Sequence, residues 1–358
     1  MQENSTADIL KKLLRVNSGP REESELADIL ISRLKDIGLT VNTDNASEKI
    51  GGNADNILVE VDPEQEKNIL LTAHIDNISG GISDSLVEKD DKLFKDGLGG
   101  LGVDDKAGVS VLLSILNSHP GQLPPGLGII FTVAEELGLL GASVLPRKFI
   151  SRFDKALVLD GEAPAGTIFY QEPAACFFAI SLQQSPLEKS LSSRQKMLLR
   201  RIRHYWDKSD LCLVSHLISG PLPAWNFFQE EILIVGIKGE NVEKIESKWN
   251  RRLKELKRYF GIRSDDLTYK LLHSCSGFNI DTSRPWLQNL ENSLLQSGLK
   301  VNYKQSSHIS EAGKLNDFGL EAVNLGLGLS DVHTSQERIN LNSLKYLSRA
   351  VENFLFND

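Results

Sequence analysis

The 358-residue chain is poor in cysteine, in aromatic residues and in long apolar runs. Its three cysteines, Cys176, Cys212 and Cys275, are odd in number and far apart, so they outline neither a disulfide framework nor a cysteine zinc site. No window approaches the ~20 consecutive apolar residues of a membrane span. The opening MQENSTADILKKLLRV has no basic segment followed by an apolar core, so no secretory signal is visible. Positive charge is not in excess either: 40 Lys and Arg against 48 Asp and Glu leave a formal charge of -8. An acidic chain has no overall attraction for polyphosphate, which argues against nucleic acid as a partner. These absences predict a soluble cytoplasmic protein with no membrane role. What is present is ordinary for a globular chain, with 41% hydrophobic and 25% charged residues. At ~150 residues per domain the length suggests two domains.

The apolar pattern supports that division. Ile9, Leu10, Leu13 and Leu14, then Leu26, Ile29, Leu30 and Leu34, recur at helical spacing around the turn Ser18-Gly19-Pro20. Short apolar runs at 56–61, 68–73, 128–133 and 155–159 predict strands, separated by a buried helix over 106–116 and a short helix over 137–145. Strands alternating with helices predict an α/β domain, a mostly parallel sheet with helices on both faces. From about residue 171 the texture changes to strand 177–182, basic helix 193–205, strand 211–218, strand 231–237, long helix 241–259 and strand 267–272. That order is the βαββαβ, ferredoxin-like pattern. The first style then returns with helix 286–297, strand 321–327 and helix 342–354. The expected organisation is a catalytic-type domain of residues 1–170 and 282–358, interrupted by an inserted lid of residues 171–281. The basic stretches Arg200-Arg201-Ile202-Arg203 and Arg251-Arg252-Leu253-Lys254 fall on lid helices, where a solvated outer face accounts for them better than a phosphate-binding surface.

One motif misleads. Gly97-Leu98-Gly99-Gly100-Leu101-Gly102 fits the dinucleotide fingerprint, but no buried strand precedes it and no carboxylate follows near Gln122, so a turn is expected and no organic cofactor. The strand ends carry a stronger signal. His74-Ile75-Asp76, Glu135-Glu136 and Asp160-Gly161-Glu162 close predicted strands, Asp331-Val332-His333 follows another and Asp104-Asp105 sits just before the buried helix, so all five converge on the edge where open α/β sheets bind ligands. Singly, each has a structural explanation, such as a helix cap for Asp104-Asp105 or a helix-start pair for Glu135-Glu136. Together at one edge they would repel one another unless a cation were present. Two histidines with several carboxylates suit zinc, with cobalt or manganese as substitutes. A carboxylate bridging two ions ~3.5–4 Å apart would let a water react at neutral pH, and one glutamate of the 135–136 pair could take its proton. His308, in a polar loop, could also face the cleft, whereas His119, His204, His216 and His273 have no carboxylate companions at ligand spacing.

In this order the segments His74-x-Asp76, Gly102-Val103-Asp104-Asp105-Lys106-Ala107-Gly108, Glu135-Glu136-Leu137-Gly138, Asp160-Gly161-Glu162 and Val332-His333-Thr334 resemble the peptidase T (tripeptide aminopeptidase) branch of the co-catalytic zinc metallopeptidases. Aminoacylases, carboxypeptidase G and succinyl-diaminopimelate desuccinylase belong to the same wider group. The resemblance implies that His74, Asp104 and Asp160 hold one zinc ion and Asp104, Glu136 and His333 the other. It makes Glu135 the general base and has Asp76 orient His74. It also implies a lid of the kind often used for homodimerisation, although the group includes monomers.

The lid departs from that pattern. The histidine usual in its first strand and loop is missing from residues 180–187, the usual asparagine corresponds to Asn226, and the arginine that binds a substrate carboxylate is replaced by Lys238, which lacks the bidentate fork. The function expected is a di-metal hydrolase that cleaves an amide bond of a small peptide near a free N-terminus. The alternatives are an N-acyl amino acid amidohydrolase with the same centre and a metal-binding relative without catalysis.

Overall fold

The computed structural model describes residues 5–62, 69–78, 85–183, 191–209, 212–263 and 266–356. Two helices open the chain, α1 (Thr6–Leu13) and α2 (Ser24–Asp36); the Ser5 hydroxyl accepts the Asp8 N–H and caps α1. They are followed by β1 (Val41–Thr43), α3 (Ala46–Ile50), β2 (Ile57–Glu60) and β3 (Ile69–His74). A hairpin, β4 (Leu86–Lys89) and β5 (Lys92–Lys95), leads through the glycine-rich segment into α4 (Lys106–Ser118). Then come β6 (Leu127–Thr132), the short helices α5 (Leu140–Ser143) and α6 (Arg147–Ile150), β7 (Lys155–Gly161) and β8 (Thr167–Glu172). The helix expected over 137–145 is confined to Leu140–Ser143, because Gly138 and Leu139 both take left-handed φ values, 88° and 59°.

The next six elements are β9 (Ala174–Leu182), α7 (Ser193–Asp207), β10 (Cys212–Ser219), β11 (Glu231–Gly239), α8 (Val242–Phe260) and β12 (Leu267–Cys275). They form an antiparallel sheet in the order β10-β11-β9-β12. Residues 184–187 of the expected first lid loop lie outside the described residues. The chain closes with β13 (Phe278–Asn279), α9 (Pro285–Gln296), β14 (Asn302–Gln305), α10 (Glu311–Asp317), β15 (Glu321–Gly326), β16 (Leu329–Ser330), β17 (Arg338–Asn340) and α11 (Leu341–Phe356). The sequence pattern did not reveal β8, β14 or α10. The polar run Asn302-Tyr303-Lys304-Gln305 pairs only along β8, outside the main path of the sheet.

The nine-stranded sheet runs β1-β2-β6-β3-β7-β15-β8-β13, with β14 paired to β8. Its centre, β6-β3-β7-β15, is parallel, and β1, β2, β8 and β13 add antiparallel flanks. The central strands are apolar on both faces, as expected of strands covered on both sides. Ile69, Leu71 and Ala73 of β3 join the core built with α1, α4, α9 and α11. Leu70 of β3, with Ala156 and Val158 of β7, joins a second core that includes Ala175, Phe177 and Cys275 of the smaller sheet. Because side chains alternate, His74 shares the face of Leu70, and Asp160 that of Val158. Both therefore point toward the smaller sheet.

That smaller sheet buries its other face under α7 and α8. Ile245, Trp249, Leu253 and Leu256 of α8 recur every three or four residues and are buried, and Trp249 stacks on Phe178 with centroids 3.8 Å apart. Arg200, Arg201, Arg251 and Arg252 are exposed on the outer side of these helices. The β5 strand belongs to a separate sheet, β16-β17-β5-β4, and Gly97, Gly99 and Gly102 after it have positive φ, so the apparent dinucleotide motif is a turn. Among the described residues, no helix is long and apolar enough to cross a membrane.

Candidate metal centre

The carboxyl ends of β3, β6 and β7 meet the N-terminus of α4. Asp105 caps that helix, Oδ1 accepting the Gly108 N–H at 2.9 Å, while its Oδ2 accepts the His74 N–H at 3.2 Å. One side chain thus ties strand to helix and leaves Asp104 facing outward from the turn. The close approach needs glycine at 108, where a Cβ would lie 2.1 Å from the Leu159 carbonyl oxygen. Buried Glu337 accepts the N–H groups of Gly102 at 2.7 Å and Val103 at 3.1 Å, holding the turn from the opposite side.

Asp104 lies between two imidazoles. Its Oδ1 is 3.3 Å from His74 Nε2 and its Oδ2 is 3.1 Å from His333 Nε2. Asp160 Oδ1 is 3.5 Å from the same His74 nitrogen, and Glu136 Oε1 is 2.9 Å from His333 Nε2. Two three-residue groups result, His74–Asp104–Asp160 and Asp104–Glu136–His333, each with ligand atoms within 4.8 Å of one another. Glu135 lies in neither group, yet its Oε2 is 3.9 Å from His74 Nε2. His74 is 1% exposed, whereas His333 sits in a loop at φ 61° with its side chain 44% exposed.

Asp76 does more than orient an imidazole. Its backbone carbonyl accepts from His74 Nδ1 at 2.9 Å, which leaves Nε2 directed at Asp104, and its carboxylate is 3.4 Å from the same ring nitrogen. The carboxylate also accepts the backbone N–H groups of Glu135 and Glu136, at 2.9 and 3.1 Å.

The electrostatics fit a cation. Burial opposes charge on His74, yet hydrogen bonds with Asp104, Asp160 and Asp76 raise its pKa well above the usual imidazole range. His333 is raised to about 11, burial again being outweighed by Asp104 and Glu136. Burial pushes Glu136 to about 7 against the pull of His333, and Asp160 to about 7 against that of His74. Glu135 goes well above the carboxylate range, through burial and then the neighbouring Asp160, Glu136 and Asp76, with His74 opposing. Asp104 alone is held low, because its bonds to His333 and His74 outweigh burial. Three of the four carboxyl groups are thus raised by burial, and divalent ions at the two groups would stabilise their charged forms.

The cluster opens into a cavity of about 560 Å³ lined by Leu139, Phe169, Phe177, Leu213 and Val214 and by residues 304–310 at the end of β14 and in the loop after it. Of the substrate-side candidates, His308 lines this cavity. Among the described lining residues Asn226 and Lys238 do not occur: Asn226 ends a short turn at φ 50°, and Lys238 Nζ donates to the Ser307 carbonyl at 2.7 Å. Lys238 therefore holds the wall of the cavity. Glu172, buried beside the cavity and pushed to about 8 by burial, fastens the same loop through the Ser310 hydroxyl at 2.6 Å. Burial, then Arg203 and His333, lowers the pKa of His216 in β10 to about 4.

Sequence reasoning missed Glu337 and Glu172. Glu337 lies 235 residues from Gly102, and no local spacing signals such a bond.

A sequence model described as Peptidase family M28 matches residues 56–202. The chain is 23% identical over 357 residues to the uncharacterized protein YqjE of Bacillus subtilis, with 93% of this chain and 92% of the relative covered. Its fold is similar to that of a tripeptidase from Staphylococcus aureus (TM-score 0.72, 22% identity, 99% of this chain and 98% of the other covered). It is also similar to aminopeptidase PepT from Bacillus cereus (TM-score 0.69, 20% identity, 99% and 98% covered). The similarity of fold covers nearly the whole chain, the smaller sheet included.

Proposed function

We propose that the chain is a di-metal aminopeptidase of small peptides, with tripeptides as the principal substrates. The observation that carries this reading is Asp104 set between the two imidazoles, with Glu135 beside them and outside both ligand groups. His74, Asp104 and Asp160 would hold one ion and Asp104, Glu136 and His333 the other; zinc suits this donor set, and cobalt or manganese would substitute. When bound, such ions polarise the scissile carbonyl and make a water nucleophilic at neutral pH. The chain's own residues do the rest. The Glu135 carboxylate takes the proton of the attacking water and returns it to the leaving amine nitrogen. Asp76 keeps the His74 ring and the Glu135 backbone in register, and Phe177, Leu213 and Val214 give the cleft an apolar side. A cavity of about 560 Å³ suits a small ligand, since such sites run about 300–1,000 Å³. A cytoplasmic setting fits three cysteines that are all free.

The test is hydrolysis of tripeptides, dipeptides and N-acyl amino acids by metal-loaded protein. Tripeptides with a free N-terminus should be turned over fastest. Preference for N-acyl amino acids would replace this reading with an amidohydrolase, and no turnover of any class would remove it.

A further inference from the structure

Glu23 occupies the N-cap position of α2 yet makes no capping bond to its own helix. Its side chain is fully buried, and a single oxygen, Oε1, accepts the N–H groups of Arg21 at 2.7 Å and Ala134 at 2.9 Å. Oε2 has no hydrogen-bond partner among the described residues. A buried carboxyl group with an unpartnered oxygen costs free energy, so the contact it makes has to offset that cost. The contact falls on a strained residue: Ala134 has φ 51°, a left-handed conformation that a non-glycine residue adopts only under constraint. The next two N–H groups, of Glu135 and Glu136, go to Asp76. Three consecutive amides therefore end on two buried acidic side chains.

The left-handed turn matters because two adjacent glutamates must do different things. Glu136 meets His333 at 2.9 Å, while Glu135 faces His74 at 3.9 Å. We propose that Glu23 is a positioning residue for Glu135, holding Ala134 in the left-handed turn that sends the two glutamates to separate places. The loop carrying Glu23 is itself fixed, since the Arg21 guanidinium donates to the carbonyls of Gly51 at 2.9 Å and of Ser219, in β10, at 2.8 Å. The inference rests on the reading of Glu135 as the general base.

Glu23→Gln and Glu23→Ala test it in the metal-loaded enzyme. Glutamine keeps the Oε1 acceptor and should hold kcat within about threefold. Alanine should lower kcat by roughly 10- to 100-fold, the scale of a small misplacement of a reacting group, with KM and bound metal unchanged. Ala134→Gly added to Glu23→Ala should recover part of the loss, because glycine takes positive φ without constraint. Where Glu23→Ala does not fold, Glu23→Asp keeps the carboxyl group but withdraws the acceptor by one methylene, and should show the same kcat loss. Wild-type kcat in Glu23→Ala or Glu23→Asp would overturn the inference, as would Glu23→Gln falling as far as Glu23→Ala. A wild type that hydrolyses no peptide would overturn the functional reading as well; an active wild type with an unimpaired Glu23→Ala overturns the inference alone.

Discussion

Asp76 grips the backbone of Glu135: the glutamate N–H donates to Asp76 Oδ1 at 2.9 Å, and Oδ2 takes the next amide, that of Glu136. A residue whose expected work was to orient His74 thus also sets the direction of the candidate base.

Asp76→Asn presents an amide N–H₂ to one of those two N–H donors, so one backbone bond must be lost. We expect kcat to fall and metal affinity to drop about 10- to 100-fold, the range seen when a partner behind a ligand is removed. Metal titration and steady-state kinetics check both. A variant with normal affinity and normal kcat would remove Asp76 from the site's supporting structure.

Glu135→Gln should keep two bound metals, because Glu135 lies outside both ligand groups. Loss of a general base costs roughly 10²–10⁴-fold in rate. Elemental analysis beside tripeptide turnover separates this outcome from loss of the metal; loss of one metal equivalent would make Glu135 a ligand instead.

Chelation should abolish turnover and lower stability, with both restored by two equivalents of zinc. Ion binding at a hundredfold excess over Kd contributes about 2.7 kcal/mol, readable as a urea midpoint. His333→Ala should retain a single ion, since His74, Asp104 and Asp160 survive as a group. Two ions retained in that variant would contradict the pairing.

Acid should weaken the join between the smaller sheet and the glutamate loop. His273 in β12 donates from Nε2 to the Gly138 carbonyl at 2.8 Å and stacks on Phe177. Burial, then nearby Lys314, lowers its pKa to about 3, with the Gly138 bond opposing. The folded pKa lies below the unfolded value near 6.5, so the contribution to stability is full above that pH and is lost as pH falls toward 3. By pH 5 the loss should reach about 2 kcal/mol. Urea melts of the wild type and His273→Gln should show a smaller fall in the variant; parallel curves would assign acid sensitivity elsewhere.

Much of the fold was legible because its central strands are short apolar runs and its helices carry apolar residues every three or four positions. Ile69 to Ala73 and Lys106 to Leu116 could be placed for that reason. The polar strand β14 and the seven-residue α10 were not, since neither has a periodic apolar face long enough to register. Lys238 marks a different limit: its charge was readable, but its engagement by the Ser307 carbonyl was not.

The sequence alone determined the parallel α/β core, the inserted βαββαβ unit and the identity of the five clusters near the sheet edge, because alternation within a strand and the placement of acids after a strand or before a helix are local properties. Only the tertiary structure decided that Asp104 lies between two imidazoles, that Asp76 and Glu23 divide the amides of residues 134–136 between them, and that Glu337 steadies the turn from 235 residues away. These are contacts between chain segments brought together by burial of the core, and hydrogen bonds over such separations leave no periodic trace in the order of residues.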